Sequence, residues 1–194
     1  MVATGGKAYV RGGLTVVLVL VAVMWVAEVV DAVVDHRLDR YGIEPREVDG
    51  LDGVLFAPFL HVGFGHLIAN TLPFAVMGAV IALEGPVRLL AVTALVALVS
   101  GLGTWLVATE GTIHVGASGV VFGYSTYLIA RGVFNRRLGE IGIGVVVAVL
   151  WGGVLLAGLE PREGISWQGH LFGAVGGVIA AAMLARPDER PAAA

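Results

Sequence analysis

Six long apolar runs, at roughly 14–34, 66–83, 87–108, 118–130, 141–159 and 168–185, constrain the fold of this chain more than any other feature. A helix needs about 20 apolar residues to cross the hydrocarbon core of a bilayer. Five of the runs approach that length, so an all-α, polytopic membrane protein with a six-helix bundle is predicted. The run at 118–130 is short. It needs flanking residues such as Gly116, Ala117 and 131–134, or shelter among its neighbours, since a polar-tipped helix is tolerated where its end lines a cavity. Composition agrees: 57% of the 194 residues are hydrophobic and only 14% charged, against about 25% charged in a soluble domain.

The same numbers exclude other classes. A net charge of -3 with no dense Lys/Arg patch argues against nucleic acid. The absence of cysteine removes disulfides, thiolate catalysis and Cys-based zinc sites together. No internal repeat supports an inverted-repeat transporter. Lys7 and Arg11 ahead of the first run resemble a signal peptide, but the run continues through Glu28 and Asp31 with no small-residue cleavage site, so a membrane anchor is the better reading.

Lys and Arg set an expected orientation. With a cytoplasmic N-terminus, Lys7, Arg11, Arg88, Arg131, Arg136, Arg137, Arg186 and Arg190 lie inside, and Arg37, Arg40, Arg46 and Arg162 outside, in the direction of the positive-inside rule. Both termini are then cytoplasmic, in a multi-pass protein of the cell (plasma) membrane. The expected organisation is an N-terminal tail at 1–13, unstructured at 1–6, then one domain at 14–186 and an unstructured tail at 187–194. The long external loop at 35–65 is read as a solvated or interfacial cap, with an apolar patch at 54–60 in the membrane surface.

Ionisable and polar groups inside spans point to function, and three clusters do so here. His61, His66 and Asn70 open the second run, with His66 and Asn70 four apart on one helix face. Gly116-Ala117-Ser118-Gly119 opens the fourth, where a helix start presents free N–H groups to a developing oxyanion. Gly169-His170 opens the sixth, with Gly169, Gly173 and Gly177 repeating every four residues as a close-packing face. Gly119 and Gly123 offer a matching face on the fourth run. The even-numbered runs all travel from outside to inside, so topology gathers the three clusters at one level. That convergence is what a hydrolytic site needs. A serine hydroxyl requires a base, and His170 is the candidate, as a Ser–His dyad without a third acidic member. His66, Asn70 and the Ser118 N–H are the candidate oxyanion donors.

At these residues the chain resembles the rhomboid family of intramembrane serine proteases. His61…His66…Asn70, Gly116-Ala117-Ser118-Gly119 and Gly169-His170 occur in that family's order and on matching spans, over essentially the whole chain. The resemblance implies Ser118 as nucleophile, His170 as general base, and an oxyanion hole with His66 and Asn70. His61, Gly116, Gly119, Phe122 and Gly173 would support them. It also implies that single-pass membrane proteins are cut near small residues at the membrane edge. Two departures stand out. Phe122 occupies a position where many members carry tyrosine, and no Trp-Arg pair precedes His61. Glu84 corresponds loosely to a structural glutamate of the family.

The alternatives are weaker. An inactive rhomboid-like client binder has no reason to keep both Ser118 and His170. A zinc hydrolase on His61, His66, His114 or His170 lacks the H-E-x-x-H spacing, so no metal and no cofactor is expected. A small transporter or proton channel would show flux across liposomes. His114 is read as a loop residue without a role, His36 as a solvated juxtamembrane residue, and Trp25, Trp105, Trp151 and Trp167 as interface or packing residues.

Overall fold

The computed structural model describes residues 2–186, with side chains from residue 6. Its helices are α1 (Val2–Val33), α2 (Gly53–Phe56), α3 (Phe64–Ala82), α4 (Pro86–Val107), α5 (Ser118–Asn135), α6 (Leu138–Gly158) and α7 (Trp167–Met183). Among the described residues there is no strand, only an isolated bridge between Ile43 and His114. Each apolar run lies on one long helix, because a backbone in lipid must satisfy its own hydrogen bonds.

By length and composition α1, α3, α4 and α6 can cross a membrane. Their outer faces carry exposed apolar side chains such as Leu18, Leu72, Leu106 and Val149, the surface of a multi-pass membrane protein. The other two long helices are shorter, at 18 residues for α5 and 17 for α7. They pack most extensively against each other, with α4 on α7 and α6 on α5. Close approach explains that core. A Cβ on Gly173 would stand 2.1 Å from the Gly119 carbonyl oxygen, and one on Gly177 would stand 2.0 Å from that of Gly123. Only glycine lets the two backbones meet, on the face that the four-residue repeat predicted.

Two helix boundaries run past the expected apolar runs. The first helix reaches back to Val2, through the stretch expected to be a tail, since no proline interrupts it. The tail at 187–194 lies outside the described residues. The fifth helix continues to Asn135, past the end of its apolar run. Its last turns are polar but paired: Arg131 bonds Glu84, and Asn135 Nδ2 donates to Glu140 at 2.7 Å. Arg88 also lies 3.4 Å from Glu84 and donates to the Leu184 carbonyl. Glu84 thus ties the far ends of α3, α4 and α5 together, and Arg88 adds α7.

The long loop is bound to the bundle rather than free in solvent. Arg46 donates to the carbonyls of Leu106 at 3.1 Å and Ala108 at 2.8 Å, a cation on the C-terminal end of α4. Trp105 Nε1 donates to the Glu47 carbonyl at 2.8 Å. An arginine and a tryptophan from different segments thus anchor a loop that lacks the adjacent pair. In the apolar patch, Ala57 and Leu60 turn inward while Leu55 and Phe56 face out.

Candidate active site

The N-termini of α3, α5 and α7 open at one end of the bundle, and the three polar clusters sit there. Ser118 is the first residue of α5 and His170 lies in the first turn of α7. The glycine contacts between those helices bring Ser118 Oγ to 2.8 Å from His170 Nε2. On the other side of the ring, His170 Nδ1 lies 2.7 Å from the carbonyl oxygen of Gly158 at the end of α6. A carbonyl only accepts, so Nδ1 carries the proton and Nε2 presents its lone pair to the serine hydroxyl. Phe122, one turn into α5, stacks flat on the imidazole, with centroids 4.1 Å apart and planes 7° from parallel. His170 is therefore held on three sides, and it is buried.

His66 lies beside the serine loop. Gly116 has φ +119°, and a Cβ there would stand 2.6 Å from His66 Cε1, so glycine is required twice, for the backbone angle and for the ring. His61 is 1% exposed. Its Nε2 lies 3.4 Å from the Ala117 N–H, and its ring meets that of His66 edge-on at 5.1 Å. Burial, reinforced by His66, pushes the His61 pKa down to about 4, so this ring is a neutral acceptor beneath the serine loop. Asn70 is buried one turn deeper on α3 and donates to the His66 carbonyl at 3.2 Å. It thereby fixes the turn that carries His66, and its second N–H is uncommitted in that bond.

A cavity of about 30 Å³ adjoins Ser118, Gly116 and Gly119. His114 and Ser166 form part of its wall, joined at 2.8 Å through His114 Nδ1 and Ser166 Oγ. That volume admits a water molecule. Gly158, His114 and Ser166 are the site residues that the sequence reading did not single out for a role. A backbone carbonyl leaves no residue-type signal, and one histidine among several in glycine-rich sequence carries little.

The Rhomboid domain family matches residues 50–187, which include all three clusters. The chain belongs to the rhomboid family. Among its relatives, an uncharacterized protein of Mycobacterium tuberculosis, Rv1337, is 44% identical over 190 residues, covering 94% of this chain and 79% of that protein. An uncharacterized protein of Mycobacterium leprae is 43% identical over 188 residues, covering 92% and 74%. YdcA of Bacillus subtilis, whose name marks it provisionally as a rhomboid protease, is 30% identical over 181 residues, covering 91% and 90%. Within this rhomboid, Phe122 takes the stacking position on the histidine without a hydroxyl.

Proposed function

We propose that this rhomboid is an intramembrane serine protease in which Ser118 is the nucleophile and His170 the general base. The observation that carries the reading is the 2.8 Å contact between Ser118 Oγ and His170 Nε2, with the opposite ring nitrogen on a carbonyl. In that tautomer His170 takes the hydroxyl proton as Oγ attacks the scissile carbonyl carbon. The new oxyanion meets the free N–H groups at the start of α5 and the His66 ring, with Asn70 one turn behind. One such donor contributes about 10²–10³ in rate. The imidazolium then returns its proton to the leaving amine, and a water activated by His170 releases the acyl group. No metal or cofactor takes part in these steps.

Six crossings accompany this reading, with α5 and α7 as short spans inside a ring of longer ones. The N-terminus is cytoplasmic, the site faces outward across the plasma membrane, and the substrates are single-pass membrane proteins cut near that face. The test compares cleavage of a single-pass substrate in liposomes by wild type, Ser118→Ala and His170→Ala. Cleavage by wild type alone is expected. Cleavage that survives Ser118→Ala would overturn the assignment. Inertness of folded wild type towards several substrates would favour a rhomboid that binds clients without cutting them.

A further inference from the structure

Glu28 and Asp31 stand three residues apart near the end of α1, on one face of the helix. They are 1% and 2% exposed. The last turn of α1 holds no basic residue, although a helix C-terminus is the negative end of its dipole and favours cations. The chain then folds back through Asp35 and His36, at φ 56° and 57°. That return sets His36 Nδ1 3.1 Å from Asp31 Oδ2 and places Asp39 alongside. The ligating atoms of Asp31, His36 and Asp39 all lie within 4.8 Å of one another.

An independent observation bears on this cluster. Both carboxylate oxygens of Glu28 are buried without a hydrogen-bond partner, and so is Oδ1 of Asp39. Glu28 lies in the field of Asp31, Asp39 and His36, and His36 is the one basic group acting on it. Asp31 is answered by the Leu38 N–H on Oδ1 at 2.6 Å and by His36 on Oδ2, whereas the buried oxygens of Glu28 and Asp39 are costly to keep charged unless a cation or a proton answers them.

We propose that Asp31, His36 and Asp39, backed by Glu28, hold a divalent transition-metal ion of the Zn²⁺ type at the junction of α1 and α3. An imidazole nitrogen among carboxylate oxygens suits Zn²⁺ better than Ca²⁺, which takes six to eight oxygens. Ligands at about 2.0 Å around a tetrahedral ion stand about 3.3 Å apart. The His36–Asp31 pair is already that close, and Asp39 completes the set by a small inward shift. The His36 side chain is 56% exposed, which gives the ion a path from solvent. The Gly63 backbone N–H, which donates to the His61 carbonyl at 2.9 Å and caps α3, also acts on Glu28 as a weak hydrogen-bonding group. The ion therefore neutralises the end of α1 next to the helix that carries His66 and Asn70.

The test uses tag-free, full-length protein in detergent, equilibrated with Zn²⁺ and freed of excess ion. Metal content and melting temperature are measured with and without EDTA for wild type, His36→Ala and Asp39→Asn. The exposure of His36 makes His36→Ala a variant that keeps the fold. Wild type should retain about one Zn²⁺ per chain, as a structural site does, and lose melting temperature in EDTA. Both variants should lose the ion and become insensitive to EDTA. Equal Zn²⁺ in wild type and variants, no retained Zn²⁺ in wild type, or retention of Ca²⁺ in its place would each overturn the proposal. A His36 simply hydrogen-bonded to Asp31 predicts no EDTA effect.

Discussion

His170 Nδ1 sits 2.7 Å from the carbonyl oxygen of Gly158, and this one bond sets the tautomer that turns Nε2 towards Ser118. A backbone oxygen here occupies the place that a buried carboxylate takes in a Ser-His-Asp triad. It orients the ring as a carboxylate does but brings no negative charge.

Gly158 is therefore a position where a methyl group should be felt. An added Cβ would stand 2.6 Å from Phe122 Cζ and 3.0 Å from His170 Nδ1. Gly158→Ala should lower the cleavage rate about tenfold or more by displacing the ring. Gly152→Ala on the same helix meets nothing within 4 Å and serves as the control. Equal rates for the two variants would show that the carbonyl does not set the geometry.

The base must be neutral to accept a proton, which fixes the sign of the pH dependence. Activity should fall on acidification through the His170 pKa, along a limb of one proton. Initial rates between pH 5 and 8 in liposomes measure this. A flat profile would argue against His170 as base.

His61 predicts a stability effect of definite sign. Its folded pKa of about 4 lies below the roughly 6.5 of an unfolded histidine. Between those values the unfolded chain binds the extra proton, so stability rises with pH and is lost as pH falls from 6.5 towards 4. The difference amounts to at most about 3 kcal/mol at one pKa unit per 1.36 kcal/mol. Melting temperatures of wild type and His61→Gln across this range isolate it: the variant should show the shallower slope.

How much of this was legible in the sequence depends on what kind of atom carries each contact. The α5–α7 interface was readable, because Gly119, Gly123, Gly173 and Gly177 announce close backbones by spacing alone. The meeting of Ser118 and His170 followed from that face together with the common direction of α3, α5 and α7. The Gly158 contact was not readable, since every residue has a carbonyl and only the end point of α6 selects this one. Arg131 looked like a flanking charge because its partner Glu84 is 47 residues away. His36 is exposed, as its juxtamembrane position suggested, but its contact with Asp31 was not readable: two left-handed residues fold it back, and apolar periodicity carries no trace of such a turn.

Glu84 makes the far end of the bundle testable separately. Glu84→Gln leaves Arg131 and Arg88 without their shared carboxylate, and both are largely buried. Removing one partner of a buried pair destabilises by about 3 kcal/mol. Thermal unfolding should show that loss, while activity per folded molecule stays near wild type because the site lies at the opposite end. Unchanged stability would mean that Glu140, 3.7 Å from Arg131 Nε, suffices.

The central claim is that His170 makes Ser118 nucleophilic, and a serine-directed fluorophosphonate tests it without any substrate. The measurement is the mass of the labelled peptide after reaction in detergent. A single adduct on Ser118 is predicted in wild type, absent in Ser118→Ala and at most trace in His170→Ala. An adduct on another residue, or labelling of Ser118 that is unchanged in His170→Ala, would contradict the account.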